Sequence, residues 1–376
     1  DLYLEGDDQY QCWFQTSLWA AVALGHPAPF KTVVGHAFFV DETGHKLSKS
    51  KGNIIPPTDI TDKYGADVLR MWFTYADFRR KMYASEGIYE QVAEAYKKIR
   101  FTCRFLLQNL TDFNPATDAV PYEDMLEVDQ WALSRVAWLA GRMTEAFDKW
   151  NLHLFYHEVH GFCVTDLSAF YLNVIKDRLY TELPASLTRR SAQTALWEIL
   201  QALVRITAPV LTYTAEEVWQ HCRKLDATLP QSVQMADWPQ PPAQWNPPGL
   251  TERWDIFMQV REQALLALEA AKNAGVAENP LEAVLDIYYS EAASEVLRAL
   301  EAHLPALLIV SAVNLLPAAE APEGVVQEGL VTVVAKRSPG DKCGRCWMVL
   351  ESVGQDTEHE TLCARCAANV RALTEA

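Results

Sequence analysis

No stretch of this 376-residue chain approaches the roughly 18 consecutive apolar residues that a membrane-spanning helix requires, so no membrane partner is expected. An export signal is also lacking, because Asp1–Gly6 offers neither a basic start nor an apolar block. Basic residues are in deficit: 33 Lys plus Arg stand against 49 Asp plus Glu, a formal net charge of −16. That balance excludes nucleic-acid binding through a general polycationic surface, while leaving room for a local basic track on an acidic body. There is no initiator Met, which is read as the mark of a piece of a longer chain. Nor is there a signature of disorder, since 49% of residues are hydrophobic and aromatics abound, with 12 Trp, 14 Tyr and 14 Phe.

What is present begins with eight cysteines of two kinds. Cys12, Cys103, Cys163 and Cys222 are scattered, mostly in apolar or helical surroundings, and read as small buried hydrophobes. Cys343, Cys346, Cys363 and Cys366 form two Cys-x-x-Cys pairs. A disulfide framework needs an oxidising compartment, and without an export signal the cytoplasm is the expected location. Two such knuckles offer four thiolates to one tetrahedral ion, so one structural Zn²⁺ per chain is expected, with no open coordination position. An iron–sulfur cluster is the less favoured alternative.

Hydrophobic period divides the chain. Short apolar runs such as Thr32–Val40 read as strands among loops. From residue 60 the pattern turns helical, with Ile88, Val92, Ala95, Tyr96, Ile99, Cys103, Leu106, Leu107 and Leu110 forming one stripe. Trp131–Trp150, Phe155–Tyr180 and Ser191–Thr207 behave similarly, and Thr214 with Glu217 predicts a capping box for the next helix. Pro239, Pro241, Pro242, Pro247 and Pro248 mark a connector. Beyond it, Arg253–Lys272 reads as a helix, Ala283–Tyr289 as a strand, Ser290–His303 as a helix and Ala306–Leu316 as a strand, followed by the apolar Leu330–Ala335. The expected organisation is residues 1–59, 60–231, 232–250 as connector, 251–336 and 337–376, in a mostly α fold with α/β parts.

Within Lys46-Leu47-Ser48-Lys49-Ser50-Lys51-Gly52-Asn53, three lysines and two serines in a short loop suit a polyphosphate. Ammonium groups neutralise phosphoryl oxygens, and hydroxyls with backbone N–H groups supply directed hydrogen bonds. The plainer alternative is a solvated basic hairpin after Asp41-Glu42-Thr43-Gly44. His153, His157 and His160 are spaced to share one helix face, where snugly bonded histidines are commoner than a metal site. Lys176, Arg178, Arg189 and Arg190 read either as a phosphate track for an RNA stem or as ion pairs with Asp177 and Glu182. Arg345, Arg365 and Trp347, beside the cysteine knuckles, are placed to touch a nucleic-acid backbone and stack on a base.

The lysine loop resembles the Lys-Met-Ser-Lys-Ser signature of class I aminoacyl-tRNA synthetases, with Leu47 in place of Met. Glu5-Gly6-Asp7-Asp8-Gln9, followed by Trp13-Phe14, resembles the adenylate-pocket segment of the isoleucyl-tRNA synthetases. Gly65–Arg70, Ile175–Tyr180, Arg189-Arg190-Ser191 and the cysteine array resemble the same family. The resemblance implies the end of a Rossmann-like catalytic fold in 1–59, a stem-contact and anticodon-binding helical bundle in 60–231, a small α/β region and a zinc ribbon. It further implies that Glu5, Gly6, Asp8 and Gln9 contact isoleucyl-adenylate, that Trp13 walls the side-chain pocket and that His36 contacts the nucleotide. Lys46 and Lys49 would act catalytically on the phosphates of Mg²⁺-bound ATP, with Ser48 and Ser50 assisting. Partners implied are tRNA-Ile, isoleucine and ATP, with the protein a monomer. No His-x-Gly-His-like motif occurs in these residues and nothing corresponds to the editing domain, so both are expected upstream and the chain alone is expected to be inactive but tRNA-binding. The alternative is a non-catalytic RNA-binding module with a zinc ribbon. A zinc-ribbon DNA-repair protein explains only the last few dozen residues.

Overall fold

The computed structural model describes residues 1–322 and 329–375. Strand β1 (Leu2–Gly6) leads through a short turn into the helix Trp13–Ala23 and returns as β2 (Thr32–His36), parallel to β1. Strand β3 (Phe39–Val40) pairs in parallel with β4 (Met82–Tyr83), with the helices Pro57–Tyr64 and Ala66–Trp72 in the crossover. Parallel neighbours need such crossovers, and the pairs are fragments of an α/β layer. Long helices follow at Glu86–Gln108, Glu127–Asp148, Leu187–Thr207, Thr212–Leu225 and Leu250–Asn273. The stripe expected on the first is buried at Val92, Ala95, Ile99, Cys103 and Leu106. Among the described residues no helix is long and apolar enough to cross a membrane.

The chain packs as two compact units. One comprises Asp1–Phe105, Trp138–Val164 and Gln201–Pro239. Within it, the expected capping box of Thr214 and Glu217 does not form. The helix starts at Thr212, and its first amides are satisfied from far away in sequence: Asp67 accepts from the N–H groups of Tyr213 (3.2 Å) and Thr214 (2.7 Å). A carboxylate there also meets the positive end of the helix dipole. Glu217 instead takes both guanidinium nitrogens of Arg100 at 2.7 and 2.9 Å, and Thr214 bonds the Tyr96 hydroxyl. Arg70, one turn beyond Asp67, donates to the carbonyls of Pro209 and Val210.

The other unit comprises Leu106–Ala137, Thr165–Leu200 and Gln240–Ala376. An aromatic core of Trp131, Phe170, Trp254 and Phe257 fixes its helices, with Trp131 stacked on Trp254 at 5.2 Å between centroids. A three-stranded sheet has β5 (Ala283–Tyr289) at its centre, β6 (Ala312–Pro317) parallel on one side and β7 (Val331–Arg337) antiparallel on the other. Asp286, buried in β5, accepts from Asn314 (2.7 Å), its register partner, and pairs with Lys336 at 2.5 Å. The expected continuous strand Ala306–Leu316 is two elements. Leu304–Leu308 is helical, with Pro305 in the first turn where a missing N–H costs nothing, and only Ala312–Pro317 is strand.

Phe155–Tyr180 likewise does not run as one α-helix. Phe155–Val159 and Phe162–Tyr171 are π-helical, and Lys176–Thr181 is a separate short helix. The histidines engage a tyrosine: His160 stacks on Tyr156 and His157 meets that ring edge-on. Among the described residues, only the four ribbon cysteines gather as a metal-capable group.

Candidate functional site

Parallel register places the expected adenylate contacts at the carboxyl ends of β1 and β2, where Gly6 lies opposite His36. In open α/β sheets this edge is where ligands bind. Glu5 Oε1 stands 3.7 Å from His36 Nε2, and His36 Nδ1 lies 3.0 Å from the Ala37 carbonyl oxygen. A carbonyl only accepts, so Nδ1 is the ring nitrogen that donates there, and Nε2 is left facing the carboxylate. A carboxylate and a ring nitrogen side by side at a strand edge can receive an ammonium or hydroxyl group. A side chain at Gly6 would place Cβ 2.8 Å from Asp8 Oδ1, so glycine here leaves room for the Asp8 side chain over the strand end. Gly35 is a residue the sequence reading missed. Its Cβ would meet Asp7 Oδ1 at 2.5 Å and the Tyr10 ring at 2.9 Å, a long-range approach that shows in sequence only as an interrupted apolar strand. Trp13 lies half-exposed, its ring against Tyr3 (4.5 Å) and Phe14 (4.4 Å). Asp8 is exposed and Gln9 partly so.

The lysine loop is held at both ends and exposed in the middle. Asp41 folds an Asx turn, accepting from the Thr43 amide and hydroxyl and from the His45 amide. Asn53 closes the loop: its Oδ1 accepts from the Ser48 amide at 2.9 Å and its Nδ2 donates to Asp41 Oδ2 at 2.8 Å. The Thr43 hydroxyl, then the Asn53 amide and the His45 N–H, hold the Asp41 carboxyl well below the usual carboxylate range. Gly52, at φ +68°, makes the left-handed exit. Between these ties Lys49, Ser50 and Lys51 are exposed, Ser48 and Ser50 share a 3.3 Å contact, and Lys46 Nζ rests 3.4 Å from the centre of the Phe38 ring. Among the described residues, Lys49 and Lys51 make no ion pair. Sequence chemistry singled out the lysines but not the Asp41–Asn53 latch that aims them.

The cysteine array forms a closed centre. The first knuckle sits on the hairpin of β8 (Asp341–Lys342) and β9 (Val349–Leu350), and the second opens the helix Ala364–Glu375. All four Sγ atoms lie within 4.8 Å of one another and are buried, under Met348, Leu350, Val353 and Leu362. Gly340, at φ +98°, lets the hairpin close, since a Cβ there would lie 2.4 Å from the Leu350 carbonyl carbon. Burial raises the Cys343 thiol, but the amides of Cys346, Cys363 and Arg345 outweigh it and bring the group down to about 6. Burial pushes Cys346 up to about 11 and raises Cys366 as well. Four crowded sulfurs that cannot all ionise unaided, with no exposed coordination position, fit a structural Zn²⁺. Next to the first knuckle, Trp347 stands 60% exposed with φ +65°, and Lys342 Nζ lies 6.0 Å from its ring centre. Arg345 Nη1 is buried without a hydrogen-bond partner.

The expected phosphate-track arginines are placed otherwise. Arg178 donates to both carboxylate oxygens of the fully buried Asp129, at 2.7 and 2.8 Å, where Tyr171 and Ser191 also donate. Arg189 grips Asp112 with two nitrogens, and Arg190 bonds the Asp112 carbonyl and Asp118. The acidic partners are thus Asp129, Asp112 and Asp118, whereas Asp177 and Glu182 pair with Arg365. Lys176 stays exposed, bonded only to Asn173 among the described residues.

Comparison with known proteins places these parts in one family. Residues 1–85 match the tRNA synthetases class I (I, L, M and V), 129–287 the anticodon-binding domain of tRNA ligase, and 340–369 the zinc finger found in FPG and IleRS. The chain is 48% identical over 376 residues to the isoleucine–tRNA ligase of Moorella thermoacetica, covering 99% of this chain and 40% of that protein. It is 45% identical over 373 residues to that of Caldanaerobacter subterraneus subsp. tengcongensis, covering 98% and 40%. Among solved structures, the fold is similar to a LeuRS of Agrobacterium radiobacter K84, solved as a ternary complex with tRNA and LeuAMS. That match has a TM-score of 0.52 and 16% identity, and covers 65% of this chain and 29% of the other. Spanning about 40% of the length of the curated relatives it matches, and matching them from end to end of its own sequence, the chain belongs to the isoleucine–tRNA ligase family.

Proposed function

We propose that this chain supplies the phosphate-handling loop and the tRNA-recognising part of a cytoplasmic, monomeric isoleucine–tRNA ligase. The observation that carries the reading is the juxtaposition of Glu5 and His36 at the carboxyl edge of two parallel strands. In the reaction, the isoleucine carboxylate attacks the α-phosphate of Mg²⁺-bound ATP and pyrophosphate leaves. A terminal ribose hydroxyl of tRNA-Ile then takes the acyl group. Glu5 holds the substrate ammonium or a ribose hydroxyl, Gly6 lets the backbone approach, and Asp8 and Gln9 contact the adenylate from the turn that follows β1. Trp13 walls the aliphatic side chain and His36 contacts the nucleotide. Lys49, with Lys46, Ser48 and Ser50, stabilises the charge that develops on the departing phosphates.

Recognition of tRNA falls to the groups presented to a partner, Lys176 beside the bundle and Trp347 at the ribbon, with the partly buried Arg345 beside it. Zinc, when bound, supplies the ribbon's fold and no chemistry. Alone, the chain binds tRNA without activating isoleucine. The test titrates the zinc-loaded chain with tRNA-Ile and with a non-cognate tRNA at several salt concentrations. Selective, salt-sensitive binding supports the reading, and equal or absent binding by a chain verified as folded overturns its tRNA half. Isoleucine-dependent ATP–pyrophosphate exchange by the purified chain would sink the expectation of inactivity.

A further inference from the structure

The segment joining the last two metal-ligating cysteines carries a side chain that points away from RNA recognition and toward the bundle. Arg365 lies between Cys363 and Cys366, at the start of the helix Ala364–Glu375. Its two terminal nitrogens donate to both carboxylate oxygens of Asp177, at 2.6 and 2.8 Å, and one reaches Glu182 at 3.4 Å. One turn on, at i+4 and so on the same face, Asn369 Nδ2 donates to the Thr181 carbonyl at 3.0 Å and reaches Glu182 at 3.4 Å. Both grips close on one short helix, Lys176–Thr181, the second by satisfying a carbonyl at its C-terminal end. That helix is itself anchored from within, because Arg178 is locked on the buried Asp129. A continuous chain of fixed contacts therefore runs from the cysteine centre through Arg365 to Asp177, and through Arg178 to the core of the same unit.

We propose that Arg365 and Asn369 are positioning residues that brace the metal ribbon against the helix Lys176–Thr181. They thereby hold the exposed Trp347 and Lys342 at a set distance from Lys176, for a structured RNA that spans both. This rests on the tRNA reading above for its consequence, though not for its geometry. It differs in sign from the simple view of Arg365 as a phosphate contact. A phosphate contact removed by Arg365→Ala lowers the slope of log affinity against log salt by about 1. A brace removed leaves the slope unchanged while affinity for tRNA-Ile falls by roughly tenfold, in the range of coupled neighbours. Asp177→Asn separates the two again. Deleting an acid tightens RNA binding if Arg365 is freed to meet phosphate, and loosens it if the brace is broken.

The experiment uses the full, zinc-loaded chain and three variants: Arg365→Ala, Asp177→Asn and the charge exchange Arg365→Asp with Asp177→Arg. Zinc content is measured for each, with hydrogen exchange over residues 364–375 and salt-dependent titration with tRNA-Ile. Expected are full zinc content throughout, faster exchange in both single variants, recovery in the exchanged pair, and weaker tRNA binding at unchanged slope. Unchanged exchange overturns the brace, as does a slope lower by about 1 in Arg365→Ala or tighter binding by Asp177→Asn. Should the unaltered chain bind no tRNA, the functional reading fails on its own, and the exchange and rescue measurements still decide the brace.

Discussion

Lys49 and Lys51 stand exposed at the crest of a loop whose ends are tied by neutral and acidic turn residues, whereas Arg178, Arg189 and Arg190 each grip an aspartate on their own unit. Both groups read alike in sequence, as short runs of positive charge with chemistry to offer. The difference lies in what surrounds them. Around the lysine loop, the local acid Asp41 is saturated by Thr43, His45 and Asn53, and among the described residues Lys49 and Lys51 are left without an ion pair. In the helical unit, Asp112 and Asp129 come from distant turns of chain to meet the guanidiniums, which leaves those charges holding the fold. An acidic protein can thus leave some basic groups exposed while its acids tie others into the fold.

The contrast can be broken most forcefully at the metal centre, where an arginine tied to an aspartate also sits between two ligands. Chelation of zinc is expected to unfold the ribbon and abolish selective tRNA binding, leaving the helical signal largely intact. Alkylation at pH 8.5 checks it. Cys12 alone, being exposed, should react in the loaded protein, and Cys12 with the four ribbon cysteines after chelation. Cys103 and Cys222, whose thiols burial pushes up to about 12, should stay unmodified in both.

Next in size is Arg178→Ala, which leaves Asp129 buried and unpaired and should cost about 3–5 kcal/mol by urea denaturation. A wild-type denaturation midpoint would place Arg178 with the lysines and erase the distinction. Acid should reveal the surface member of the tied group. Burial alone would raise the Asp112 carboxyl, yet Arg189 and Gln193 lower it below 3.8. Its folded state therefore binds fewer protons than its unfolded state near that value, so its stabilisation is present above pH 3.8 and lost as pH falls through the lower folded value. Asp112→Asn should flatten the acid limb of the melting profile and cost about 1 kcal/mol or less at pH 7. The smallest effect belongs to Lys49→Ala, expected to shift stability by less than about 0.5 kcal/mol. A larger loss would show that this lysine, too, serves the fold.

What the residues disclosed in advance divides along similar lines. The cysteine array was legible because its chemistry is carried by neighbours a few positions apart. The stripe from Val92 to Leu106 was legible because a helix repeats every few residues. The arginine pairs were not, since Asp112 and Asp129 lie dozens of residues from their partners. The cap of the helix at Thr212 failed for the same reason: Thr214 and Glu217 fit a local rule, and Asp67 from another helix took the position. Ala306–Leu316 was misread because an apolar run does not by itself distinguish a buried strand from a buried helical turn, and Pro305 was the overlooked signal.

Asn53 gives the lysine loop a chemical clock. Its side-chain amide donates to Asp41 Oδ2 at 2.8 Å and accepts from the Ser48 amide at 2.9 Å, so one carboxamide reads two opposite polarities at once. Spontaneous deamidation, which turns asparagine into a carboxylate in ageing protein, would set that new negative charge directly against Asp41. The latch would then repel where it now binds. A preparation stored long enough to deamidate at this position would keep its helices, its ribbon and its mass to within a single dalton, and lose the geometry of the loop.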